Sequence, residues 1–205
     1  MDRVRRTSMI AAGIGTLAVS AVATAAFAAS QAYTDNMYPT DNADWTCRDS
    51  DYGYEFCKTD NANLTVYRQG SLSASGKAKI KEMLGEQYSP TQLKVYIRNS
   101  GVYTGGSETD VIYQNERIPG GWRGGTWCDD AIGNYKCDQQ YVRFRYATPS
   151  YADTCHETGH AVGLTHGQDA APKKDNKDRR LGCLVSPGTI KSLGSHNKEM
   201  INSTY

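Results

Sequence analysis

An α+β protein organised around a mixed α/β sheet is what this 205-residue sequence predicts. Short runs rich in β-branched and aromatic residues alternate with two stretches of helical spacing. Their order is strand, helix, strand, strand, strand, helix, which fits a sheet with helices packed on it. Beyond the second helical stretch the pattern loses its period, so a small irregular C-terminal part is expected. Six cysteines, an even number, would staple a domain of modest size.

The elements follow in order. Residues 1–28 read as an export signal: Arg3, Arg5 and Arg6 open it, an Ala-rich apolar stretch runs from Met9 to Phe27, and Ala26-Phe27-Ala28 makes a cleavage site. The apolar stretch is too rich in Ala, Gly, Ser and Thr to favour a membrane anchor. A secreted, extracellular protein is therefore expected, with no membrane association after the signal is removed. Residues 29–62 are rich in Asp, Asn, Tyr and Thr and lack any period. They read as an N-terminal extension, solvated and partly ordered, or as a short pro-segment.

The regular pattern begins at residue 63. Leu64-Thr65-Val66-Tyr67 reads as a strand. Ser73 or Ser75 caps a helix carrying Ala78, Ile80, Met83, Leu84 and Tyr88 at helical spacing, which ends before Pro90. Leu93 to Ile97 alternates as a half-buried strand, and Asp110 to Tyr113 reads as another. Gly120 to Gly125 reads as loop, and Tyr141 to Tyr146 alternates again. A helix is expected from Pro149 to Leu164. Lys173 to Arg180 reads as a solvated charged loop; Ca²⁺ is possible there, but the acidic residues lack the spacing of a calcium loop. A short terminal helix is expected over Ser195 to Asn202, with His196 at the surface or at the helix start. The chain holds 23 Lys and Arg against 22 Asp and Glu, a net charge of +1, so neither nucleic acid nor an anionic membrane is indicated as a partner.

Most of the chemistry is concentrated in His156-Glu157-Thr158-Gly159-His160-Ala161-Val162-Gly163-Leu164-Thr165-His166. Three of the four histidines fall in these eleven residues. A helix turns once per about 3.6 residues, so His156 and His160 stand one above the other. Both imidazoles can then reach one Zn²⁺, with Glu157 on the adjacent edge. Gly163 can take a positive φ, stop the helix and return His166 as a third ligand. Three protein ligands leave one coordination position open, as in a catalytic rather than a structural zinc site.

The pattern HExxHxxGxxH, complete over residues 156–166, resembles that of the metzincin zinc endopeptidases. The resemblance implies an upper subdomain with a twisted sheet and active-site helix, and assigns residues 63–205 to the catalytic domain. It also implies hydrolysis of a protein or peptide substrate by a metal-activated water, with Glu157 as general base. The small secreted size looks most like the snapalysin-type neutral proteases, although those use Asp as third ligand where this chain has His166. Metzincins carry a methionine in a turn beneath the zinc. The corresponding stretch here is Gly182 to Gly188, with Val185 at the methionine's place.

Six cysteines allow fifteen pairings. Local spacing suggests Cys47–Cys57 and Cys128–Cys137, leaving Cys155–Cys183 to join the metal helix to that turn. An extended substrate would pair with an edge strand, placed by sequence around Asp110 to Ile118 or Tyr141 to Tyr146. A monomer is expected. The competing reading is a secreted, disulfide-stapled zinc-containing binding protein without turnover. Val185 supports it, and Glu157, which a structural site does not need, opposes it.

Overall fold

The computed structural model describes residues 35–50 and 56–205. The expected export signal lies outside the described residues. Six strands form one sheet: β1 (Lys58–Thr59), β2 (Asn63–Arg68), β3 (Lys94–Arg98), β4 (Val111–Asn115), β5 (Gly124–Ile132) and β6 (Lys136–Phe144). The order β1-β6-β4-β2-β3 is parallel throughout, and β5 joins antiparallel on β6. Parallel neighbours need long crossovers, and α1 (Ala74–Met83) supplies the one between β2 and β3. Ser73 caps α1, its hydroxyl accepting from the Gly76 N–H at 2.9 Å, and a π-helical turn over Leu84–Tyr88 carries the chain to Pro90.

Alternation decides which face of the sheet is covered. Leu64 and Val66 of β2, Val111 and Tyr113 of β4, and Val142 and Phe144 of β6 are fully buried in one apolar cluster. The same cluster takes Ile80, Met83, Leu84 and Tyr88 from the first helical segment, together with Ala161, Val162 and Leu164 near the end of α2 (Tyr151–Ala161). Burying each such side chain contributes on the order of 1.5–3 kcal/mol. A mixed α/β architecture is thus what the chain adopts. The C-terminal part is irregular as expected, with short 3₁₀ turns at Gly167–Asp169 and Arg179–Leu184 before α3 (Ser195–Thr204).

Several expectations need correction. Gly124 and Gly125, read as loop, open the nine-residue strand β5; two glycines masked a strand whose pairing comes from its hairpin with β6. Neither stretch expected to bind substrate is an edge: β4 lies between β6 and β2, and β6 is paired on both sides. In the stretch read as an extension, residues 36–38 and 56–57 are buried. Met37 bridges Leu164, the Tyr38 N–H donates to Gly163 O at 2.8 Å, and Tyr38 and Phe56 share an aromatic cluster with Trp45. His196 stands at the start of α3 but is buried, not at the surface.

All three expected disulfides form: Cys47–Cys57, Cys128–Cys137 and Cys155–Cys183. In the charged loop, Asp178 holds the guanidinium of Arg180 and Asp175 accepts from the Lys177 N–H, so its acids turn to local partners. No helix among the described residues is long and apolar enough to cross a membrane.

Candidate metal centre

Helix α2 begins with a reciprocal cap. The Ser150 hydroxyl accepts from the Asp153 N–H, and Asp153 Oδ2 accepts from the Ser150 N–H. Such caps stabilise a helix start by about 1 kcal/mol. Every residue from Ala152 to Ala161 is buried, so the helix is enclosed on all sides. Three hydrogen bonds fix its rotation: Tyr88 Oη donates to Cys155 O at 2.7 Å, Tyr113 Oη and Thr158 Oγ1 lie 2.9 Å apart, and Gln140 Nε2 donates to Ala161 O. Gly159 lets Leu184 come close; a Cβ there would sit 2.8 Å from a Leu184 methyl.

Gly163 takes φ +93°, as the turn requires, and its N–H donates to His160 O at 2.9 Å. A Cβ at this position would lie 2.5 Å from Lys58 Cγ, so crowding as well as backbone conformation demands glycine. The chain then doubles back and delivers His166. The three Nε2 atoms of His156, His160 and His166 converge at 3.0–3.2 Å from one another.

Those separations have hydrogen-bond length, but the chemistry points elsewhere. His156 Nδ1 lies 2.8 Å from Cys183 O, and His160 Nδ1 lies 2.8 Å from Leu164 O. A carbonyl only accepts, so each neutral ring carries its proton on Nδ1 and turns a bare Nε2 lone pair to the common point. Two such nitrogens cannot donate to each other. Burial pushes all three imidazoles below their ordinary pKa, that of His166 to about 3, and their mutual proximity lowers His160 and His166 further. Neutral imidazoles with facing lone pairs are the donor set a divalent transition metal takes. The carbonyls that fix the tautomers supply the outer support such ligands use.

Glu157 is buried beside them. Thr126 Oγ1 of β5 lies 2.9 Å from Glu157 O and 3.0 Å from Glu157 Oε2. Burial raises the carboxyl to about 8, opposed by the Thr126 hydroxyl and assisted by the nearby Asp153. Gly124 makes room for it: a Cβ there would stand 2.6 Å from Glu157 Oε1. The start of β5 therefore touches the motif glutamate directly. Arg123, just before the strand, pairs with Asp153 of α2 at 2.8 Å.

The turn expected beneath the histidines is there. Cys155–Cys183 ties it to α2, Cys183 O receives the His156 proton, and Val185 is buried in the apolar cluster. Gly188 follows closely, since a Cβ on it would meet His156 Nδ1 at 3.5 Å. Phe56 closes another side, its ring centroid 4.4 Å from that of His160.

The motif residues thus come together as the sequence led one to expect. Thr126, Gly124 and Phe56 are additions from distant segments, and no local signal marks them. Among the described residues, no carboxylate from residues 35–50 or 56–62 joins the three histidines.

No family model matches the chain, and no curated protein matches it. Its fold is similar to two solved structures of myroilysin. One shares 12% identity and a TM-score of 0.46, over 73% of this chain and 95% of that one. The other shares 12% identity and a TM-score of 0.47, over 83% and 98%. Likeness at this level carries no argument about chemistry, which rests on the residues of the site itself.

Proposed function

We propose that the chain is a secreted zinc-dependent endopeptidase. The observation that carries this reading is the placement of the buried Glu157 between strand β5 and three neutral imidazoles whose Nε2 atoms converge. The export signal read from residues 1–28 and the three disulfides support secretion.

His156, His160 and His166 would hold the zinc. When bound, zinc supplies Lewis acidity toward a carbonyl and makes water available as a nucleophile near neutral pH. The work of the chain's own residues follows from their positions. Glu157 Oε accepts the proton of the attacking water and returns it to the leaving nitrogen. Thr126 orients that carboxylate and, by donating to its charged form, keeps it available as a base. The substrate strand is β5. Its inner edge pairs with β6, and residues near its far end take bonds from residues 49 and 50: Ser50 N–H donates to Cys128 O, and Ala131 N–H donates to Asp49 Oδ1. Among the described residues, no strand pairs with Gly124–Thr126 on the side away from β6, and an extended peptide can add there as a further strand. Gly188, against His156, lies where the residue after the scissile bond would be received.

The test is digestion of casein by zinc-loaded protein, with Glu157→Gln and chelator-treated samples alongside. Glu157→Gln should retain zinc and lose turnover by roughly 10²–10⁴-fold, the usual contribution of a general base. Wild-type activity no higher than the Glu157→Gln background would defeat the reading in favour of a non-catalytic zinc-containing binding protein.

A further inference from the structure

A second cluster of metal-ligating side chains lies away from the histidines, where β1, β4, β5 and β6 meet. Asp60, Asp110 and Asp138 bring carboxylate oxygens within 4.8 Å of one another, and so do Glu108, Asp130 and Asp138. Asp138 belongs to both sets. It sits at a bulge: β5 pairs Asp130 with Gln139 and Ala131 with Cys137, which leaves Asp138 without a residue opposite. Bulges re-aim the extra side chain, and this one turns an acid toward four others.

Repulsion among five acids calls for compensation, and the protein supplies it for two of them: the Thr65 N–H and hydroxyl donate to Asp110 Oδ2, and Asn61 Nδ2 donates to Asp60 Oδ2. Among the described residues no lysine or arginine forms an ion pair with any of the five. Lys136 Nζ donates to the backbone oxygen of Asp60 rather than to its carboxylate. Glu108 and Asp110 are themselves buried. Burial and mutual repulsion hold Glu108, Asp110 and Asp138 above the ordinary carboxylate range.

An independent observation comes from Gln139, which is 0% exposed. Its Nε2 donates to Val102 O at 2.7 Å and Thr109 O at 3.1 Å, which fixes the orientation of the amide. Its Oε1 is buried with no hydrogen-bond partner. Thr109 follows Glu108, its carbonyl holds the Gln139 amide, and Asp130 stands opposite Gln139, so the amide that carries the orphaned oxygen lies beside these acids. Ionised carboxylates have no proton to give it. Asp60 Oδ1 is likewise buried and without a partner. A buried acceptor surrounded by acceptors is satisfied by a cation.

We propose that Asp138 is the central ligand of a second metal site, in which Glu108, Asp130 and Asp138, with Gln139 Oε1, bind one calcium-sized divalent cation. The donors are all hard oxygens, which suits calcium rather than a metal preferring nitrogen or sulfur. Two oxygens on one calcium, each at about 2.4 Å, stand no more than about 4.8 Å apart, the span each carboxylate set keeps. The ion would lock the bulge between β5 and β6, and so would steady the strand whose other end carries Gly124 and Thr126.

The experiment uses zinc-loaded protein freed of other cations, at pH 7. Calcium is titrated while thermal unfolding is followed, and Tb³⁺ is added in parallel as a luminescent probe sensitised by neighbouring tyrosines. The expected result is a Tm that rises by roughly 5–10 °C at ~100-fold excess over Kd, and Tb³⁺ emission that calcium quenches. Asp138→Asn should abolish both responses. Asp130→Asn, at a partly exposed position, should weaken calcium binding by about 10-fold or more while leaving zinc content unchanged. Unfolding indifferent to calcium, or a wild-type response in both variants, would overturn the proposal. None of these readouts depends on peptidase activity, so failure here is distinguishable from failure of the endopeptidase reading.

Discussion

Thr126 Oγ1 stands 3.0 Å from Glu157 Oε2, joining the first turn of strand β5 to the motif glutamate of α2. The two residues are 31 apart in sequence, and their contact orients the carboxylate and lowers its proton affinity against the larger effect of burial. A hydrogen bond to a charged, buried acceptor contributes about 1.5–3 kcal/mol. Thr126→Val keeps the shape and removes the donor. Peptidase kcat/KM should fall by about 10–100-fold with zinc content unchanged. The acid limb of the pH–rate profile should move to higher pH, because Thr126 is what holds the Glu157 carboxyl down. An unmoved limb would show that the hydroxyl has only a packing role.

Gly124→Ala tests the same contact sterically. The added methyl would fall 2.6–2.8 Å from Oε1, Cγ and Cδ of Glu157, so the carboxylate must shift. Misplacing a catalytic group by about 1 Å costs on the order of 100-fold in rate. Assays of turnover beside metal analysis should show that loss without loss of zinc.

Metal removal exposes the electrostatics of the site. The three histidines are held below 6.5 when folded, so their contribution to stability is present above pH 6.5 and lost as pH falls, for His166 through about 3. Glu157 has the opposite sign. Its carboxyl is raised from 4.5 to about 8, so its contribution is present below 4.5 and lost as pH rises through 8. Three histidines outweigh one glutamate on the acid side, and Glu157 alone of the four titrates on the alkaline side. Chelated protein should therefore be most stable near pH 6.5. The slope above that point is at most about 1.4 kcal/mol per pH unit. Urea unfolding across pH 4–9 measures it, and Glu157→Gln should flatten the alkaline arm.

Cys155–Cys183 closes a loop across a sequence separation of 28 and holds the turn whose carbonyl receives the His156 proton. Replacing both cysteines by alanine should cost about 2–5 kcal/mol of stability. Zinc affinity should fall as well, by roughly 10–100-fold, because an outer partner of a ligand is loosened. Calorimetry with a competing chelator reads both effects. Unchanged affinity would mean that the turn stays in place without the bond.

Local physics made much of this legible in advance. A helix brings residues four apart onto one side, so His156 and His160 could be paired without coordinates. Gly163 was needed for a positive φ to bring back His166. Nearest-neighbour pairing of cysteines in an oxidised chain was enough for Cys47–Cys57 and Cys128–Cys137, and Cys155–Cys183 remained. The buried runs of β2 and β4, and the Ser73 cap, were readable for the same reason.

What escaped the sequence was everything that depends on which segments become neighbours. Gly124 and Gly125 read as loop because glycine carries no strand preference, yet pairing with β6 makes them a strand beside Glu157. Phe56 reached His160 from a stretch without period, held there by Cys57 and the Trp45–Tyr38 cluster. Nothing local groups Asp60, Glu108, Asp110, Asp130 and Asp138; a bulge between β5 and β6 turns Asp138 among them. By itself the sequence determined which three histidines come together, because helix and turn geometry act over a few residues. Only the tertiary structure decided how Glu157 is held, that β5 pairs with β6 alone among the described strands, and where the acids gather. Those outcomes follow from sheet order and register, which place residues tens of positions apart in contact.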